Sequence, residues 1–317
     1  MDFTTLGRTG LSVSVAGLGT GGHSRLGQTY GRTRAESIAV VHAALDLGIN
    51  VIDTADRYGT ESIVGEALKG RRDKVILCTK THLMSPPFAP GVPYSTGAEI
   101  TARLEASLKT LGTDYIDIFH MHGVEAHQYE HCIQEVVPVL KRLRDQGKIR
   151  FLGVTERFIV DTGHRMLSRA AEDGIFDVAM LGFNILNPSA RRRVLPAAMK
   201  AGVGTLCMFA VRRGLNSLDH LREQLEQGVR NGQIDPALLA DGHPLGFLFE
   251  DDGARTLTEA SYRFCRHQKG IDVVLTGTGN IEHLKENVAD ITKPPLPPAV
   301  LERLEAIFGR VDTLSGN

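Results

Sequence analysis

Eight short apolar runs alternate with amphipathic segments along this chain, and that alternation limits the fold more than any other feature. The runs cover residues 15–19, 50–54, 75–79, 115–122, 149–154, 178–183, 204–209 and 272–276. They are rich in β-branched residues and show little polar alternation, as parallel strands covered on both faces do. Helical patterns separate them. One over residues 35–45 closes on Asp46-Leu47-Gly48, and two more over 100–111 and 133–146 end at Gly112 and Gly147, glycine being the residue that best stops a helix. In 317 residues without a linker-like stretch, this pattern predicts one (β/α)8 TIM barrel spanning residues 1–317. The competing architecture is a doubly wound open sheet. It would want Gly-x-Gly-x-x-Gly after the first strand, and Gly17-Leu18-Gly19-Thr20-Gly21-Gly22 carries its glycines at another spacing.

Four segments fall outside the repeat. Residues 4–15, with Gly7 and Gly10 between short alternating stretches, read as an N-terminal hairpin able to plug the barrel floor. A loop over 84–97 contains Pro86, Pro87, Pro90 and Pro93, and an insertion over 212–252 holds a polar helix at 218–229. Loops of this length in a compact barrel are expected to be functional covers. The last segment, 299–311, reads as an amphipathic C-terminal helix packed across the barrel wall.

Composition narrows the partners. With 36 basic against 37 acidic residues there is no electrostatic footprint for nucleic acid or an anionic membrane. Cys78, Cys132, Cys207 and Cys265 are too scattered for a disulfide framework or a zinc site, so no metal is expected and a reducing compartment is. No apolar stretch is long enough to span a bilayer, and the N-terminal residues lack a secretory pattern. The expectation is a cytoplasmic protein, a monomer or weak homo-oligomer, acting on small molecules.

The chemistry is written at the strand ends. Asp53-Thr54-Ala55-Asp56-Arg57-Tyr58-Gly59 sets a carboxylate and a phenol five residues apart after the second run. The third run leads directly into Lys80, and the fourth carries His120 and His122. In a barrel, polar residues at the carboxyl ends of strands face the active-site mouth. Singly, each has an ordinary explanation as a turn cap, a half-buried aromatic, a solvated lysine or a loop histidine. Together they suit carbonyl reduction. Hydride arriving at a carbonyl carbon builds charge on oxygen, and a free phenol of pKa ~10 is a weak proton donor at neutral pH. An adjacent ammonium would lower that pKa, a carboxylate would hold the ammonium, and a histidine would orient the carbonyl. Hydride cannot come from side chains, which implies a nicotinamide cofactor.

At this point the chain resembles the aldo-keto reductase superfamily over nearly its whole length. The matching pieces are Gly17-Leu18-Gly19-Thr20, the Asp53–Gly59 stretch, Glu66-Ala67-Leu68, Thr79-Lys80, Tyr115-Ile116-Asp117-Ile118 with His122, Gly147–Val154, and Leu284-Lys285-Glu286-Asn287. The resemblance implies a barrel with an N-terminal hairpin and a catalytic tetrad of Tyr58, Lys80, Asp53 and His122, with His120 competing for the histidine role. It further implies NADP or NAD contacts from Gly19, Thr20, Gly21, Asp53, Met208, Phe209, Glu286 and Asn287. The phosphates are expected at Gly277-Thr278-Gly279-Asn280, where a helix N-terminus attracts anions. This sequence departs from the family at the carboxamide positions, which are Thr155 and Glu156 instead of Ser-Asn, and Met180 instead of Gln. Near the site of the 2′-phosphate it has Gly277 and His283 where relatives often have Lys or Arg, which leaves the choice of cofactor open. Two further readings stay beside the reductase: a nucleotide-sensing regulatory barrel with little turnover, and a Schiff-base aldolase using Lys80. The absence of tryptophan and the 6% aromatic content favour a small polar or sugar-like carbonyl or alcohol substrate over a flat hydrophobic one.

Overall fold

A computed structural model of the protein describes residues 1–84, 91–240, 242–250 and 253–317. The chain begins with a hairpin of β1 (Phe3–Thr5) and β2 (Ser12–Ser14). The barrel strands follow: β3 (Ala16–Gly19), β4 (Val51–Asp53), β5 (Ile76–His82), β6 (Ile116–Val124), β7 (Ile149–Glu156), β8 (Val178–Gly182), β9 (Gly204–Met208) and β10 (Val273–Thr276). All eight pair in parallel in chain order, and β10 closes onto β3. The open-sheet alternative is thereby excluded.

Strand periodicity sorts side chains into two layers. One set points outward against the surrounding helices and belongs to a large apolar core. The other points into the barrel, where Val51, Ile76, Cys78, Ile118, Val178, Met180, Leu206 and Val273 form a second cluster. Leu6, Leu11 and Val13 of the hairpin complete that inner cluster from below. Gly7 makes the docking possible, since a Cβ there would stand 2.3 Å from the Gly204 nitrogen. Arg8 latches the hairpin by donating to the Gly174 and Phe176 carbonyls and pairing with Asp177. The floor is therefore filled, and the free end of the barrel is the one bearing the strand carboxyl termini.

Helix boundaries follow local signals. The helix Arg34–Asp46 starts with a capping box of Thr33 and Glu36, and Gly97–Leu111 with one of Thr96 and Glu99 before stopping at left-handed Gly112. The helix expected over 133–146 is broken: Cys132–Val136 winds as a π turn, and a regular helix runs only over Val137–Asp145. Pro138 lacks an N–H and is tolerated only in a first turn, which explains the break. The polar helix of the insertion spans Leu218–Arg230, and the terminal helix Pro298–Phe308 buries Val300, Leu304 and Phe308. Of the two expected covers, Pro86, Pro87, Phe88, Pro90 and Asp252 lie outside the described residues. No helix among the described residues is long and apolar enough to cross a membrane.

Candidate active site

Register brings the four expected catalytic groups together. Inward positions on β5 are Ile76, Cys78, Lys80 and His82, and on β6 they are Ile118, His120 and His122. Lys80 lies opposite His120 and His82 opposite His122. Asp53 ends β4, and Tyr58 follows in the next loop. Lys80 Nζ donates to Asp53 Oδ1 at 2.5 Å and to the Thr54 carbonyl at 2.8 Å, with both side chains almost fully buried. The ammonium lies 5.0 Å from the centre of the Tyr58 ring. On the other side, Tyr58 Oη stands 3.4 Å from His122 Nε2. His120 belongs to the layer beneath. It faces Gly153 on β7, where an added Cβ would approach its Nδ1 to 2.2 Å, and it does not line the cleft.

The electrostatics follow from burial with one charged pair. Burial pulls the Lys80 pKa down, but Asp53 and Tyr58 outweigh it and the net shift is upward. Lys80 is therefore a charged group at neutral pH, which ill suits a Schiff-base nucleophile. Burial pushes the Asp53 carboxyl up while the Lys80 ammonium opposes it. For Tyr58 burial raises the pKa, with Lys80 the largest opposing influence. The expectation that the ammonium lowers the phenol pKa thus holds for its own contribution and fails for the sum, because desolvating a phenolate weighs more. Burial and the charge of Lys80 hold His122 well below the usual histidine range. It is a neutral hydrogen-bonding group.

From Tyr58 a cleft of about 2230 Å³ extends across the barrel mouth to the helix Ile281–Ile291. Gly19, Gly21, Asp53, Thr155, Glu156, Met208, Phe209, Gly277, Thr278, Gly279, Asn280, His283, Glu286 and Asn287 all line it. Thr20 does not; its hydroxyl is turned to Thr60, which also meets Thr54, in a buried network behind the wall. Close approach explains two of the glycines. A Cβ on Gly21 would fall 2.3 Å from Tyr58 Cε2, and one on Gly279 would fall 2.2 Å from Gly27 Cα. Asn280 caps the helix, accepting from the Glu282 N–H at 2.8 Å. A backbone cradle without room for side chains, beside a capped helix N-terminus, fits the diphosphate of a dinucleotide. Residues 17–308 match the Aldo/keto reductase family.

The chain belongs to the aldo/keto reductase family.

It is similar to L-galactose dehydrogenase of Arabidopsis thaliana, with 28% identity covering 99% of this chain and 97% of that protein. Aldo-keto reductase YhdN of Bacillus subtilis (strain 168) is 32% identical, over 90% of this chain and 88% of its own. Among solved structures, the holo form of aldo-keto reductase AKR11C1 from Bacillus halodurans superposes with a TM-score of 0.76 at 26% identity, covering 96% of each chain. As an aldo-keto reductase the protein is an NAD(P)-dependent oxidoreductase acting on carbonyl compounds.

At the carboxamide positions the structure adds detail that the sequence lacked. Thr155 Oγ1 accepts from the Gly123 N–H at 2.7 Å. The Glu156 carboxylate is turned inward, accepting from the Gly182 N–H at 2.7 Å and meeting His164 Nδ1 at 2.9 Å, with both side chains fully buried. The Glu156 carboxylate thus uses its acceptors on the protein itself and does not stand in for an asparagine at the carboxamide position. Sequence reading also missed His82, whose ring centre lies 4.1 Å from that of His122. The signal was present, because His82 follows Lys80 by two on one strand and so shares its face. Arg212, Phe158 and Asn317 reach the cleft from loops and the chain end, where no periodicity announces them.

Proposed function

We propose that this aldo-keto reductase passes hydride between a nicotinamide dinucleotide and the carbonyl or alcohol carbon of a small polar, sugar-like substrate. The observation that carries the reading is the convergence of Tyr58, Lys80, Asp53 and His122 at one end of the cleft. In reduction, Tyr58 Oη gives its proton to the substrate oxygen. The Lys80 ammonium behind the ring stabilises the phenolate that forms, and Asp53 keeps that ammonium in place. His122, being neutral, orients the substrate oxygen and does not act as a proton source. In oxidation Tyr58 takes the proton back. The nicotinamide, when bound, supplies or receives the hydride.

Polar lining supports the substrate class. His82, Glu125, Gln128 and Arg157 edge the cleft with Tyr58, and the resemblance to a sugar dehydrogenase points the same way. NAD is the cofactor we favour. Along the helix Ile281–Ile291 the cleft is edged by Glu286, whose carboxylate would repel a 2′-phosphate, while Asp290 is paired with Lys293. Arg32 and Arg255 line the cleft too, but each is paired with a carboxylate, Glu36 and Glu259 respectively. The test is a panel of aldoses, lactones, simple aldehydes and polycyclic ketones run with both cofactors on the wild type and Tyr58→Phe. We expect sugars to lead and NAD to be preferred. Loss of the phenol should lower turnover about 10²–10⁴-fold, with cofactor binding by fluorescence unchanged. Near-native turnover in Tyr58→Phe would sink the assigned role, and a clear lead for polycyclic ketones would sink the substrate class.

A further inference from the structure

We infer that Arg212 is an anion receptor built into the cleft, meeting a phosphate or carboxylate group of a bound molecule. The reading extends the proposed function by giving the ligands of that same cleft an oxyanion contact. Arg212 follows β9 and lines the cleft half-buried. Its guanidinium lies 4.1 Å over the Phe209 ring and donates to Asn317 Oδ1 at 2.6 Å. Across the cleft, one of its terminal nitrogens stands 3.8 Å from where a Cβ on Gly22 would be. None of these three contacts is negatively charged.

That sets Arg212 apart. Among the described residues, Lys80, Arg32, Arg157 and Arg255 also line the cleft, and each is ion-paired with a carboxylate. Arg213 forms no ion pair either, but it stands exposed in water, which solvates it. A cation taken partly out of water without a counter-charge is destabilising, and burial accordingly lowers the Arg212 pKa. The platform beneath it is strained as well. Phe209 adopts a left-handed φ of 67°, a conformation that disfavours side chains and clusters at functional sites. A stacked, planar guanidinium with free N–H groups is suited to bidentate capture of a carboxylate or phosphate. Two sources of that chemistry can reach it: the dinucleotide's diphosphate and a carboxylate carried by the substrate.

Titration of the full-length protein separates them. ADP-ribose reports the diphosphate, and oxamate added to NADH-loaded protein reports a small carboxylate, both read by fluorescence or calorimetry without turnover. Arg212→Gln should weaken one of these probes at least tenfold, and that probe's binding should lose part of its salt dependence. Weaker ADP-ribose assigns Arg212 to the diphosphate, and weaker oxamate assigns it to the substrate. Should the glutamine variant fail to fold, Arg212→Lys keeps the charge but loses the planar fork, and the same probe should weaken several-fold. If both probes bind within twofold of wild type in a folded variant, the inference is overturned. Because neither titration needs hydride transfer, its outcome is independent of whether Tyr58→Phe loses turnover.

Discussion

Lys80 and Asp53 form a pair whose stability depends on both members being present. Each side chain is almost wholly buried, and the ammonium is satisfied by Asp53 and the Thr54 carbonyl. Replacing Lys80 with Met leaves a carboxylate in the interior without its counter-charge, which costs about 3–5 kcal/mol. Urea denaturation should show that loss, and adding Asp53→Asn should restore a good part of it while activity stays absent. Equal stabilities of the single and double variants would show that the pair is not coupled as described. This part of the site was legible in the chain because Asp53 ends a buried strand and Lys80 and His122 lie two residues before the ends of theirs, where a charge has few uses other than chemistry. Arg212 and the Glu156–His164 pair were not legible. Their partners are 105 and 8 residues away in sequence, in loops and at the chain end, and only folding brings them together.

At the scale of elements, the loop after β3 must lie against the Tyr58 phenol. Gly21 permits it, since any Cβ there would overlap the Tyr58 ring edge at 2.3–2.6 Å. Gly21→Ala should therefore push Tyr58 off its line with His122 and lower kcat by one to two orders of magnitude, since small misplacements at a reacting centre are costly. Thermal stability should change little, because the ring can yield into the open cleft. An unchanged kcat would mean that the loop yields instead. The strands themselves were easy to anticipate: residues 50–54 bracket β4 (Val51–Asp53) and residues 178–183 bracket β8 (Val178–Gly182). The π turn before Val137–Asp145 was not, because apolar spacing alone does not register a change in hydrogen-bond partner.

For the whole molecule, the buried histidines set the acid limit. Burial holds His82 at about 4 and His120 at about 3. In the unfolded chain each would take up its proton near ~6.5. Above that value both states are neutral and stability is complete. Below it the unfolded state binds protons that the folded state refuses, so stability falls as pH drops, by roughly 1.4 kcal/mol per pH unit for each histidine. Urea midpoints measured from pH 7.5 down to 4.5 should decline on that slope, and because His122 is held down as well, His120→Gln should flatten it by about a third. A midpoint indifferent to pH across that range would contradict the assignment.

The filled floor of the barrel has a kinetic meaning. With Leu6, Leu11 and Val13 sealing one end, the barrel is a vessel with a single opening, and everything that reacts inside enters and leaves on the same side. A dinucleotide whose reactive ring reaches Tyr58 would rest at the bottom of that vessel, and a substrate arriving first would stand in its way. Traffic through one doorway imposes a queue: cofactor in first, cofactor out last. Product-inhibition patterns would reveal it, with the oxidised and reduced dinucleotides competing directly with each other and the carbonyl product failing to compete with either. Competition between the carbonyl product and the dinucleotide would mean that the doorway is wider than the sealed floor implies.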